Sequence, residues 1–231
     1  MILKKTSQDY KKMANLALGR SFLYHFLVSM LAPIPDVHFL ERLKCSGTQN
    51  LINNCSKANC SVIGKGIDFL KEYLAESEKR NEEDILTEIA IDRTRILRVP
   101  SKIDLKPPYE GLYKGEGMGV YTLKVKNFYK GVGIVPDSSV NELPDFLCVE
   151  LDFMRKMCYR EKEQWLSSGK VHNTILIEEK FMREHLGSWA GDYCKKAQKY
   201  LDTKLYKGIL YILDSVIKMD LDYLGQLKCI I

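Results

Sequence analysis

The chain has 231 residues, 45% hydrophobic and 28% charged, which is enough for a sizeable core as one domain or as two closely packed halves. Its net charge of +5 comes from Lys and Arg interleaved with 30 acidic residues, without a long basic run or an RNA or DNA motif, so nucleic acid is excluded as the expected partner. The seven cysteines are odd in number and scattered, which predicts free thiols in a reducing cytoplasm and no disulfide framework.

Residues 9 to 32 predict a long helix. Met13, Leu16, Ala17, Tyr24, Leu27 and Leu31 make one face and Phe22, Phe26 and Met30 a second, so the helix is expected to be buried on most sides. The apolar run from Ser21 to Pro35 follows Arg20, contains His25 and lacks a small-residue cleavage site, so neither a signal peptide nor a membrane span is expected. Pro33 and Pro35 end the helix, and Asp36 can cap a short one running to about Lys44. Cys45 to Ser61 is polar and Asn-rich and reads as a loop or short helical turn. Cys45, Cys55 and Cys60, with His38 nearby, contain no C-x2-C pair, so free thiols are expected there in preference to a metal site. Gly64-Lys65-Gly66 lacks the rest of a phosphate loop and reads as a helix start.

An amphipathic helix is expected over residues 65 to 80 and another from about Glu82 to Arg98, ended by Pro100. Ser101 to Glu116 is too rich in proline and glycine for a regular element and reads as a linker between two halves, near 100 to 117. Helical spacing resumes from Gly117 to Gly133, and Ser139 to Glu142 forms a capping-box pattern. The next helix is expected to start at Pro144, whose ring suits a first turn, with Asp145 placing negative charge at its positive end. Along it Leu147, Leu151, Met154 and Cys158 form an apolar stripe, and Glu150 falls inside that stripe, where a carboxylate requires a partner. A short helix with turns at Gly187 and Gly191 follows, His185 reading as a residue at a helix C-terminus. A helix over residues 203 to 219 and a short or frayed tail complete the chain. No segment sustains period-two alternation, so the expected fold is all-α, a compact multi-helix bundle without significant β-sheet.

Several ordered motifs between about Leu86 and Met219 carry a resemblance. Pro107-Pro108-Tyr109-Glu110-Gly111-Leu112-Tyr113, Phe128-Tyr129-Lys130-Gly131, Glu142 with Pro144-Asp145-Phe146-Leu147, Glu150-Leu151-Asp152-Phe153-Met154 and His185-Leu186-Gly187-Ser188-Trp189 occur in that order. Together they resemble the TorD-like redox-enzyme maturation chaperones, which include the DmsD and NarJ types. Phe146 stands where that family has histidine, and Gly111 where it has serine. The resemblance implies a cytoplasmic chaperone, not an enzyme, that binds the twin-arginine signal or N-terminal peptide of a molybdopterin oxidoreductase catalytic subunit until its cofactor is inserted. A peptide bearing paired guanidiniums beside an apolar stretch requires carboxylates beside an apolar groove. Asp145, Glu150 and Glu110, with Tyr109, Tyr113, Pro144 and Phe146, are the expected peptide-binding set, provided the linker packs against the helix that follows Pro144. No cofactor or metal of its own is expected, and the oligomeric state is open. The alternatives are a helical regulatory or scaffold protein that binds a folded partner and, behind it, an enzyme.

Overall fold

A computed structural model describes residues 7–57, 61–98, 104–115, 119–135 and 142–229, without the side chains of residues 7, 54–57 and 61. Ser139 to Asn141 of the capping-box pattern, Cys60, the Cys55 side chain and the linker's residues 101–103 and 116 therefore lie outside the description. Among the described residues the chain forms eleven α-helices, one 3₁₀ turn and a single isolated β-bridge, so the fold is all-α.

The first helix, α1 (Ser7–Leu31), stops at the residues before Pro33, and Asp36 then caps α2 (Val37–Lys44) by accepting the Phe39 N–H at 2.8 Å. The helix α3 (Ser46–Lys57) occupies the stretch read as a loop. Its polar composition hid one inward-facing side, on which Ile52 is buried. Next come α4 (Ser61–Ser77) and α5 (Glu82–Leu97), the latter capped by Asn81 and opened by Glu82, Glu83 and Asp84 at its positive end. The linker holds a five-residue helix, α6 (Glu110–Lys114). After it, α7 (Val120–Val132) ends on Gly133, whose φ of 69° suits a residue without Cβ.

The central helix α8 (Leu147–Ser167) starts at Leu147, three residues later than the Pro144 start expected, because Pro144 to Phe146 are drawn into contact with the linker. The last three helices are α9 (His172–Glu184), α10 (Leu186–Ala197) and α11 (Lys204–Lys228). Gly187 and Gly191 lie inside α10 and make no turn. Gly187 is required there by close approach, since a Cβ would sit 2.5 Å from the Met182 carbonyl oxygen. The break falls instead at His185, and the tail after Met219 continues α11.

Elements on either side of the linker interleave: α1 lies along α8, and α11 packs on α4, α9 and α10. The α4–α11 crossing is close because Gly66 meets Gly208, and a Cβ on Gly66 would approach the Gly208 carbonyl oxygen to 2.8 Å. Gly66 is thus a packing residue inside a helix, not a helix start. The stripe Leu147, Leu151, Met154 and Cys158 is fully buried, as its spacing requires. By contrast α1 is covered less than its apolar content suggests, with Leu16 54% and Phe22 61% exposed. Among the described residues no helix is long and apolar enough to cross a membrane.

Candidate functional site

The linker packs against the start of α8. The Glu110 N–H donates to the Asp145 carbonyl at 3.0 Å and the Leu147 N–H to the Pro108 carbonyl at 3.0 Å, an antiparallel bridge centred on Tyr109 and Phe146. Their rings lie 5.1 Å apart. Tyr129, from α7, donates its hydroxyl to the Pro144 carbonyl at 3.1 Å and holds the same turn from below. Tyr113 packs tilted against Trp189 and meets Tyr193 edge-on, while its hydroxyl donates to the Lys106 carbonyl at 2.8 Å.

This pairing brings the three expected carboxylates together but encloses them. Glu110 and Glu150 are fully buried and Asp145 is 2% exposed, so none offers a carboxylate to solvent as an acidic groove wall would. The physical reason is that each serves the protein's own donors. Asp145 accepts the Thr122 hydroxyl at 2.8 Å and the Gly111 N–H at 3.4 Å, bonding α7 and α6 instead of the start of its own helix. Glu110 lies 2.9 Å from His185 Nδ1 and 2.7 Å from Lys114 Nζ, and Lys114 also donates to the Glu184 carbonyl. Glu150 accepts the Trp189 indole N–H at 3.2 Å, while its Oε1 is buried without a hydrogen-bond partner. Burial, followed by the Glu110 charge, pushes the Glu150 carboxyl well above the ordinary carboxylate range.

Tyr109 and Pro144 are half-buried, and Phe146 is buried at the floor of an adjoining cleft of about 660 Å³. The Tyr109 hydroxyl donates to Glu142 Oε2 at 2.9 Å, and Arg98 reaches Glu142 Oε1 at 2.5 Å across the cleft mouth. Burial, then the bond to Glu142, raises the Tyr109 hydroxyl to about 12. Arg93 rises from α5 and donates to the carbonyls of Leu31 and Ala32, at 3.0 and 2.5 Å, completing the end of α1. Cys148, in the same cleft, is an undissociated thiol, pushed up to about 12 by burial.

Sequence reasoning missed Arg93, Arg98, Lys114 and Thr122, and gave His185 no partner. Glu110 and His185 are 75 residues apart, so no local pattern reports their contact. The motif around Trp189 was the available signal that this region belongs to the site. Among the described residues no group of three or more His, Cys, Asp or Glu is placed to hold a metal ion.

Residues 60–195 match the family model described as nitrate reductase delta subunit. The chain is similar to the chaperone protein TorD of Vibrio parahaemolyticus serotype O3:K6, at 26% identity over 68% of this chain and 73% of that protein. It is also similar to the TorD chaperones of Vibrio vulnificus strain YJ016, at 28% identity over 50% of this chain and 51% of the relative, and of Vibrio cholerae serotype O1, at 22% over 68% and 72%. No solved structure gives a significant match. The cluster of Glu110, Lys114, Asp145, Glu150, His185 and Trp189 lies wholly within the matched segment.

Proposed function

We propose a function from one premise: the chain belongs to the nitrate reductase delta subunit family. With relatives named chaperone protein TorD, it is a redox-enzyme maturation chaperone and not a catalyst. Its client is the catalytic subunit of a molybdopterin oxidoreductase, it works in the cytoplasm, and it holds the client's twin-arginine signal or N-terminal peptide until cofactor insertion is complete. The observation that carries this reading is the bridge between Tyr109 and Phe146, which joins two family motifs more than 30 residues apart into one aromatic surface beside a cleft.

In this reading Tyr109, Tyr113, Pro144 and Phe146 contribute the wall against which the peptide lies. Glu110, Asp145 and Glu150 act behind it as positioning residues. They fix the backbone of α6 and of the turn before α8, so the wall is formed before the peptide arrives and less ordering entropy opposes binding. Affinity purification of the tagged chain, with mass-spectrometric identification of what it carries, tests the function. Recovery of a cofactor-free molybdopterin subunit that is lost when the client's N-terminal segment is deleted is the expected result. A folded partner retained without that segment would favour a scaffold role instead.

A further inference from the structure

The cleft beside Phe146 carries the wrong charge for an arginine-bearing peptide. Its wall holds three guanidiniums, Arg42, Arg93 and Arg98, against one carboxylate, Glu142, which Arg98 and Tyr109 already engage. Arg42 is only loosely matched, 4.0 Å from Asp36, and 40% of its side chain is exposed. The floor is apolar, formed by Val28, Ala32, Phe146 and Cys148, with Ile34 75% exposed at the rim. A second groove of about 580 Å³, between α1 and α3, shares Ser29 and Arg42 with the lining of this cleft. That groove is lined by Phe22, Phe26, Met30 and Leu51 and, among the described residues, by no acidic one. Phe22, the most exposed aromatic of α1, lies along it.

An apolar groove whose end holds three guanidiniums against one carboxylate is complementary to an apolar segment that ends in carboxylates. We propose that these adjoining grooves along α1 bind a client peptide segment in which an apolar stretch is followed by acidic side chains, the carboxylates pairing with Arg98 and Arg42 near the Arg93 end. This rests on the maturation-chaperone reading and specifies which part of a client peptide the chain holds. Paired arginines, where a client has them, lie outside the groove.

Fluorescence anisotropy of the full chain with three labelled synthetic peptides tests this. The peptides share one Leu/Phe-rich stretch and end in two Glu, two Gln or two Arg. The Glu peptide is expected to bind about tenfold or more tighter than the Arg peptide, with an affinity that falls as salt rises. Arg42→Gln with Arg98→Gln weakens the Glu peptide most and removes that preference, and Phe22→Ser weakens all three. Both arginines are partly exposed, so these variants retain the wild-type melting temperature. Arg93→Gln is avoided because Arg93 completes α1. Equal or tighter binding of the Arg peptide overturns the inference while leaving the chaperone reading intact, and so does binding of none of the peptides by a chain that still co-purifies with its client. Arginine-dependent binding to phosphatidylglycerol vesicles in place of the Glu peptide also overturns it. Loss of the client from co-purification with the Glu preference intact sinks the chaperone reading alone.

Discussion

Two buried carboxylate clusters occupy this bundle, and they are satisfied in opposite ways. In one, Arg20 of α1 stands at the centre of Glu161 from α8, Glu178 from α9 and Asp220 from α11, with N–O distances of 2.5, 2.6 and 2.6 Å. Tyr24 and Trp165 add donors to Asp220 and Glu161. Despite burial, these carboxylates, Asp220 foremost, hold the Arg20 guanidinium above its usual range. In the other cluster Glu110, Asp145 and Glu150 are served by an imidazole, an indole, a hydroxyl and one lysine, Lys114, whose side chain is 18% exposed, and Glu150 has no cation in hydrogen-bonding contact. The first cluster ties four long helices together. The second, whose residues all lie in the family segment, holds a short helix and a turn in place beside the cleft. A central guanidinium gives several buried acids one shared charged partner, although burial still raises the Glu161 and Glu178 carboxyls. Without one, burial pushes the Glu150 carboxyl well above the ordinary carboxylate range.

The comparison breaks first at its cations. Arg20→Met strands three buried carboxylates and should lower unfolding free energy by about 3 to 5 kcal/mol in denaturant titration. Lys114→Met should cost only about 1 to 2 kcal/mol, since His185 still faces Glu110 and the lysine sits at the rim. Equal losses would erase the distinction between the clusters.

The pH dependence sharpens it. Burial raises Glu178 to about 8 against the pull of Arg20, and raises Glu150 well above the ordinary range. Each group binds a proton in the folded state that the unfolded chain releases above about 4.5. Their contribution is therefore fully present below that pH and is lost as pH rises, by about 1.4 kcal/mol per pH unit per proton. The Glu178 share levels off above about 8. Melts from pH 5 to 9 should show this fall, and Glu150→Gln should make it shallower. A variant with the wild-type slope would show that Glu150 is ionised.

The smaller effects concern the turn. Asp145→Asn weakens bonds from Thr122 and Gly111 and should cost about 1 to 3 kcal/mol, measured by thermal melts, with peptide affinity in calorimetry falling because Tyr109 and Phe146 lose their support. Thr122→Val removes one neutral donor and should cost about 0.5 to 1.5 kcal/mol. If Thr122→Val costs more than Asp145→Asn, the carboxylate is not the centre of that bonding.

Helical periodicity and breakers are local properties, so α1, α5, α7 and the buried stripe of α8 were legible in the sequence, as was Glu150 as an acid on an apolar face. The polar α3 was not, because packing of Ile52 overrides its composition. Glycines at 66 and 187 were misread for a related reason: a glycine demanded by a neighbouring helix looks, in one dimension, like a breaker. The motifs marked which stretches belong to the site, and their joining was expected on condition that the linker packs on α8. What the sequence determined by itself is therefore the helical fold class and most of its elements. The tertiary structure alone decided that Asp145, Glu150 and Glu110 face inward, that His185 meets Glu110, and that Arg93 and Arg98 line the cleft. Each of those outcomes depends on groups brought together from distant parts of the chain, and the desolvation that fixes their charge exists only once the helices have closed around them.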